Sequence, residues 1–248
     1  ELQVDGAHER VLEQVVGPEN FFPAETDRIC YATDSSLLSQ MNNWMPDLVV
    51  RVLTSGQVSQ VLALANEFHV PVVPRGAGTG QCCGAVAQQG GIMMDLTGMN
   101  RIVSMDLDNM QVTVQPGIVH AELNKELAVH GFFFPPDPGS TKMCTLGGMV
   151  SNNSSGQRSV KYGTTKQYIL GLEVVLPTGE VMVTGGVRSR ALKSVAGYDL
   201  TSLMVGSEGT LGVVTKIRLK VLPLPEKRGL VVVFFDQLES TGQAVVQV

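Results

Sequence analysis

No apolar run in this chain approaches the roughly 18 consecutive residues that a membrane-crossing helix needs. Positive charge is not in excess either: 18 Lys and Arg stand against 23 Asp and Glu, a net charge of −5. That balance excludes a broad nucleic-acid surface or a polybasic membrane patch. The four histidines, His8, His69, His120 and His130, show no H-x-x-x-H or similar spacing, so no metal centre is expected. They fall in helical or terminal segments and read as surface or packing residues. The four cysteines, Cys30, Cys82, Cys83 and Cys144, form no C-x-x-C pair. The adjacent Cys82-Cys83 is open to a redox reading, but small residues in a loop of a reduced, cytoplasmic protein explain it as well. The polar start (Glu1, Asp5, His8, Glu9, Arg10) is not a signal peptide. Without one, the sequons in Asn152-Asn153-Ser154-Ser155 carry little meaning.

What the chain has in quantity is glycine, 27 in 248 residues, much of it in three blocks. The first is Pro74-Arg75-Gly76-Ala77-Gly78-Thr79-Gly80-Gln81, directly after the apolar run Val70 to Val73. Such a bare backbone can turn its N–H groups inward around a phosphate or pyrophosphate. The second runs from Asp137 to Gly148 and continues as Met149-Val150-Ser151-Asn152-Asn153-Ser154-Ser155-Gly156. Its prolines stiffen the approach, and Gly147 and Gly148 permit close backbone contact. The third is Gly206-Ser207-Glu208-Gly209-Thr210-Leu211-Gly212. Three separated blocks point to one long anionic ligand lying across the fold.

Other readings of these blocks are weaker. A G-x-G-x-x-G fingerprint from Gly76 needs glycine where Gln81 stands, and from Gly78 where Cys83 stands. Asp95 is placed like a ribose-binding carboxylate, yet residues 81–91 show no helical apolar stripe, and a Rossmann loop must open a helix. A plain tight turn remains open for the first block alone, and a polar surface loop for the second. Ser207-Glu208 lies in no G-x-S-x-G elbow and has no histidine nearby, so a hydrolase is disfavoured.

The pattern predicts helices over 8–16, about 56–68 (capped by Thr54 or Ser55) and 119–130. Strands are expected over 48–53, 71–74, 92–96, 101–106, 110–115, 168–176, 181–184 and 212–222. Pro223 and Pro225 mark a boundary. Beyond them a strand over Leu230 to Phe235 and a helix over 238–248 are expected, unable to bury their own apolar faces.

Taken together and in order, the blocks resemble the FAD-binding domain of the vanillyl-alcohol oxidase, or p-cresol methylhydroxylase (PCMH)-type, flavoprotein superfamily. The likeness is to its glycolate oxidase and D-lactate dehydrogenase group of FAD-linked oxidases. It is carried by the first block, Pro136-Asp137-Pro138, Thr145 to Gly148, Asn153-x-x-Gly156, Lys161-Tyr162-Gly163, Gly197-Tyr198-Asp199-Leu200 and the third block, over roughly residues 20–235. The resemblance implies an α+β fold of two lobes with FAD between them. It implies a helical extension over 1–46, the FAD domain over 47–226, and over 227–248 the truncated start of a ferredoxin-like cap domain. Pro74, Arg75, Gly76, Ala77, Gly78, Thr79, Gly80 and Gln81 would wrap the pyrophosphate, with Arg75 adding positive charge. Pro138, Gly139, Ser140, Thr145, Gly147 and Gly148 would approach the ribityl chain and isoalloxazine. Ser151, Asn153, Gly156, Tyr162 and Gly163 would complete that wall, and Glu208, Gly209, Gly212, Val213 and Val214 would touch the adenosine half. Some relatives attach FAD through a loop histidine; Thr79 stands there, so FAD is expected to be non-covalent. The implied activity is oxidation of a small 2-hydroxy acid, such as glycolate or D-lactate, to the 2-oxo acid. The alternative is a non-catalytic electron-transfer subunit of a larger oxidase. Catalytic residues would lie in the cap. The implied partners are the hydroxy acid and an electron acceptor (quinone, iron–sulfur or electron-transfer protein), and the implied location is cytoplasmic, with membrane association only through a partner.

Overall fold

Two kinds of strand pattern build two kinds of sheet. Leu48-Val49-Val50 and Ile92-Met93-Met94 are apolar without alternation, as strands covered on both faces must be. Val213 to Lys220 alternates instead, as a strand with one wet face does. The computed structural model describes residues 6–188 and 196–247 and places the first kind in a largely parallel sheet and the second in an antiparallel one.

The first lobe runs α1 (Gly6–Val16), β1 (Phe21–Phe22), α2 (Glu25–Arg28), α3 (Leu37–Asn42), β2 (Leu48–Arg51), α4 (Ser55–Phe68), β3 (Val72–Arg75) and β4 (Ile92–Asp95). Its sheet has the order β1-β2-β4-β3, with β2 and β3 both parallel to β4 and β1 antiparallel to β2. The α4 helix starts where Thr54 accepts a hydrogen bond from Gln57 N–H. It buries Val58, Val61, Leu62 and Ala65, the spacing of one helical face. Leu12 and Val16 of α1 join the same core. The expected extension over residues 1–46 thus supplies α1 and β1 to this lobe; residues 1–5 lie outside the described residues.

The second lobe runs β5 (Ile102–Asp106), β6 (Gln111–Val114), α5 (His120–Val129), β7 (Phe132–Phe133), α6 (Leu146–Ser151), α7 (Ser159–Tyr162), β8 (Ile169–Val175), β9 (Val181–Gly185), α8 (Leu200–Met204), β10 (Val213–Lys220), β11 (Leu222–Pro223) and α9 (Leu238–Gln247). Its five-stranded sheet has the order β5-β6-β10-β8-β9, antiparallel throughout. Val175 and Val213 reach into the first lobe's core. Glu173 on β8 ties the lobes further, accepting from Ser55 Oγ of α4 (2.7 Å), Thr215 Oγ1 (3.0 Å) and Lys216 Nζ (2.8 Å).

One expected element is absent. Residues 230–235 form no strand; their side chains are exposed, and no described strand pairs with them. β-branched residues favour a strand only where a neighbouring strand can receive them. The helix after them forms over Leu238–Gln247 and buries no residue.

Candidate functional site

The loop that follows β3 opens at the carboxyl ends of the parallel strands, where open α/β sheets tend to bind ligands. It lines a cavity of about 330 Å3. Among the described residues, none of the N–H groups from Gly76 to Gln81 donates to an acceptor within the protein. Gly76 to Gly80 are half-buried and Gln81 is exposed, so these donors are open to solvent or to a ligand seated in the cavity. Gly78 takes φ +65°, a left-handed conformation that glycine accepts without a Cβ clash.

Opposite this loop stands α6. Its Leu146 N–H donates to Ile118 O (2.9 Å) and its Gly147 N–H to Pro116 O (2.7 Å), so these two donors are already used. Thr145, 2% exposed, contributes instead a hydroxyl with no partner. Gly76 faces that hydroxyl: a Cβ built on Gly76 would fall onto Thr145 Oγ1. A Cβ on Gly147 would lie 2.7 Å from Pro116 Cβ, so this glycine seats α6 against the turn after β6. The third block closes one end. Gly206 N–H donates to Val150 O (3.0 Å) and Glu208 N–H to Ser151 O (2.9 Å), which pins the block to α6.

Of the residues expected at the ligand, Pro74, Gly76, Ala77, Gly78, Thr79, Gly80 and Gln81 line the cavity. So do Ser140, Thr145, Gly147, Gly148 and Ser151 from the second block, and Glu208, Gly209, Gly212, Val213 and Val214 from the third. The three blocks do converge.

Seven expected residues do not line it. Arg75 turns away: its Nη1 donates to Ala85 O (2.7 Å) and Tyr31 O (3.4 Å) and its Nη2 to Thr33 O (2.9 Å). Alternation along β3 explains this, because Pro74 faces the cavity and the next side chain must take the other face. Positive charge from Arg75 on a ligand in the cavity is therefore corrected to a bond set with three carbonyls. Asn153 sits at φ +48° and accepts from Lys166 N–H (2.9 Å). Gly156 lets the chain pass against the Asp137 carbonyl and the Pro138 nitrogen, where a Cβ would not fit. Pro138 and Gly139 belong to that supported segment, which Arg158 holds by an ion pair to Asp137 at 3.0 Å. Tyr162 packs edge-on against Phe133 and receives Tyr168 Oη on its carbonyl (2.8 Å), and Gly163 ends α7 at φ +74°.

Further lining residues carried no expectation: Cys82, Gly84 and Ala85 beyond the first loop, Leu96 and Pro116 at strand ends, Cys144, Met149, Asn152 and Ser154 around α6. Asn152 and Ser154 were signalled by their polar neighbours. Leu96 and Pro116 look like any apolar residue at a strand end. Burial pushes the Cys144 thiol up, so it stays protonated. Asp95 is no ribose ligand. It is 1% exposed and accepts from Arg51 Nε (3.0 Å), Tyr31 Oη (2.8 Å) and Thr97 N–H (2.8 Å). Burial, reinforced by Asp95, pushes the Tyr31 phenol up to about 12. Among the described residues no cluster of His, Cys, Asp and Glu is arranged for a metal, and no helix is long and apolar enough to cross a membrane.

A model of the FAD-binding domain matches residues 46–185. The chain belongs to this FAD-binding family. Glycolate oxidase subunit GlcD of Bacillus subtilis is 41% identical over 234 residues, 94% of this chain and 48% of the relative. D-lactate dehydrogenase of Anaerostipes hadrus is 41% identical over 202 residues, 82% of this chain and 42% of the relative. The chain thus spans about half the length of such relatives. Among solved structures, alkyldihydroxyacetonephosphate synthase superposes with a TM-score of 0.77 at 28% identity, over 88% of this chain and 44% of that one. The residues present suit the FAD that the family binds: a loop with unspent N–H groups for a pyrophosphate, and an unpartnered hydroxyl beside it.

Proposed function

We propose that this chain is the FAD-binding portion of a flavin-dependent oxidoreductase that converts a small 2-hydroxy acid, such as glycolate or D-lactate, to the 2-oxo acid. The observation that carries the cofactor half is the run of unspent N–H groups from Gly76 to Gln81, which lines one cavity together with the unpartnered Thr145 hydroxyl beside Gly76. The names of the relatives support the substrate half. Bound FAD would supply a two-electron acceptor for the hydride released from the hydroxyl-bearing carbon, received at flavin N5. The chain's own residues do the holding. The first loop binds the pyrophosphate through its main chain. Thr145, Ser140 and Ser151 orient the ribityl and ring half, and Glu208 and its neighbours meet the adenosine half. Binding is non-covalent, since Thr79 occupies the loop and no histidine lines the cavity.

The substrate-binding and catalytic groups lie outside these residues, in a cap domain that begins near residue 227. The apolar side chains from Leu230 to Phe235, exposed here, are the surface such a domain would cover. An electron acceptor, whether quinone, iron–sulfur or protein, then reoxidises the flavin.

The test is anaerobic. Protein carrying this chain and its cap, loaded with FAD, should lose its flavin absorbance near 450 nm (roughly the oxidised maximum of any flavin) on adding glycolate or D-lactate. Flavin that stays bound but unbleached by any 2-hydroxy acid would instead make the chain an electron-transfer subunit, a reading favoured by the subunit status of GlcD. Acid precipitation should release all the flavin; colour in the pellet would contradict the non-covalent claim.

A further inference from the structure

The segment that joins α2 to α3 lies beneath the first glycine loop, outside the region matched by the family model. Ser35 N–H donates to Gly80 O (3.1 Å), so the segment bonds the loop by its main chain. Ser36 Oγ lies 3.0 Å from Cys83 Sγ, at the far side of the same loop. Arg75 completes the attachment. Its planar fork reaches Tyr31 O and Thr33 O in the segment and Ala85 O where the loop ends. The side chain therefore closes residues 76–84 into a ring and fastens that ring to residues 31–36, which act as a strap.

Two features show that this arrangement is specific. Gly78 rests on the guanidinium: a Cβ there would lie 2.6 Å from Arg75 Cζ. The strap is internally stiffened by Asp34, whose Oδ1 accepts from Ser36 N–H (2.9 Å), Ser36 Oγ and Ser39 Oγ (2.8 Å), while its charge faces Arg75. None of Tyr31, Thr33, Asp34, Ser35 and Ser36 lines the cavity.

We infer that Arg75 is a positioning residue: it clamps residues 31–36 to the first glycine loop and so holds the loop's N–H groups in the shape that receives an anionic pyrophosphate. The inference rests on the FAD reading above. It assigns Arg75 a role through geometry, where a cation next to a glycine loop ordinarily suggests direct charge pairing. Lysine keeps that charge but cannot reach three carbonyls in one plane.

The experiment measures FAD affinity of the whole chain by flavin fluorescence, for wild type, Arg75→Lys and Arg75→Met, at low and high salt. Loss of buried bonds to a charged donor should weaken binding about tenfold or more in both variants, with the same salt dependence as wild type. Full affinity in Arg75→Lys, or a salt dependence that disappears in Arg75→Met, would mean direct charge pairing and overturn the clamp. Hydrogen exchange on wild type alone covers variants that fold poorly. FAD should slow exchange at residues 33–36, none of which lines the cavity, and riboflavin, which lacks the phosphates, should not. Unchanged exchange there with FAD bound would also overturn the clamp. A wild-type chain that binds no FAD would defeat the FAD reading itself, and the clamp with it.

Discussion

The two walls of the cavity hold their polar groups in opposite ways. On the loop wall the main chain is free and the side chains are small or turned away; Gly76 to Gln81 keep their N–H groups, and Arg75 points into the protein. On the α6 wall the Leu146 and Gly147 N–H groups are consumed by Ile118 and Pro116, and the Gly148 N–H and the Thr145 hydroxyl are left without an acceptor among the described residues. A wall of main-chain donors suits a multiply charged oxyanion of any attached chemistry. A wall of hydroxyls suits neutral, directional groups. On the FAD reading proposed above, this difference favours the loop for the pyrophosphate and the α6 side for the ribityl and ring half.

The strongest way to break this contrast is Gly78→Val. The substitution puts a β-branched residue at φ +65° and a Cβ 2.6 Å from Arg75 Cζ. Left-handed strain and overlap together should cost about 3 kcal/mol or more, and the purified variant should carry no flavin. A normal flavin-to-protein ratio would show that the loop is not at the phosphate.

Gly147→Ala attacks the other wall. Its Cβ would lie 2.7 Å from Pro116 Cβ and 3.1 Å from Pro116 O, inside a packed turn. Overpacking of this kind costs roughly 1–3 kcal/mol, so thermal unfolding should move down by several degrees even without FAD. An unshifted transition would mean that α6 is not seated on that turn.

Thr145→Val sharpens the comparison because its two effects have opposite signs. It removes a buried hydroxyl that no protein group receives, so the FAD-free protein should be no less stable. FAD affinity should fall by about 1 kcal/mol, the worth of one lost hydrogen bond. Equal losses in both measurements would show that the hydroxyl serves the fold and not the ligand.

The smallest effect concerns the support behind the α6 wall. His120 Nδ1 bonds Thr141 Oγ1, and its Nε2 lies 3.0 Å from Asn124 Nδ2. Burial pulls its pKa below the usual 6.5. The unfolded chain therefore binds the proton more readily, and His120 costs stability as pH falls below about 6.5. Differential scanning should show the unfolding temperature dropping from pH 7 to 5, with a slope reduced in His120→Gln. Asp34 and Glu173, held below their usual values, lose stability only at more acidic pH. An identical slope in the variant would clear His120 of the effect.

Much of this was legible in the sequence, for a physical reason. Helix α4 announced itself by a cap and a one-sided apolar stripe, and the strands by runs or alternation, because those elements are set by local pattern. The glycine loop was legible because few structures other than a ligand cradle need so bare a backbone. Helix α6 was not. Leu-Gly-Gly-Met-Val-Ser has poor helix propensity, and it forms because Ile118 and Pro116 offer carbonyls from a distant turn. The direction of Arg75 depended on which strand face led into the cavity, which only the neighbouring strand decides. Leu230 to Phe235 has the composition of a strand and no described partner for one.

The central claim is that Gly76 to Gln81 receive the pyrophosphate of FAD through their main-chain N–H groups. Amide chemical shifts of the 15N-labelled chain, titrated with FAD, ADP and riboflavin, test it most directly. FAD and ADP should both move the resonances of Gly76 to Gln81, and riboflavin should leave them in place. Equal shifts with riboflavin, or FAD saturation with those six amides unmoved, would contradict the account.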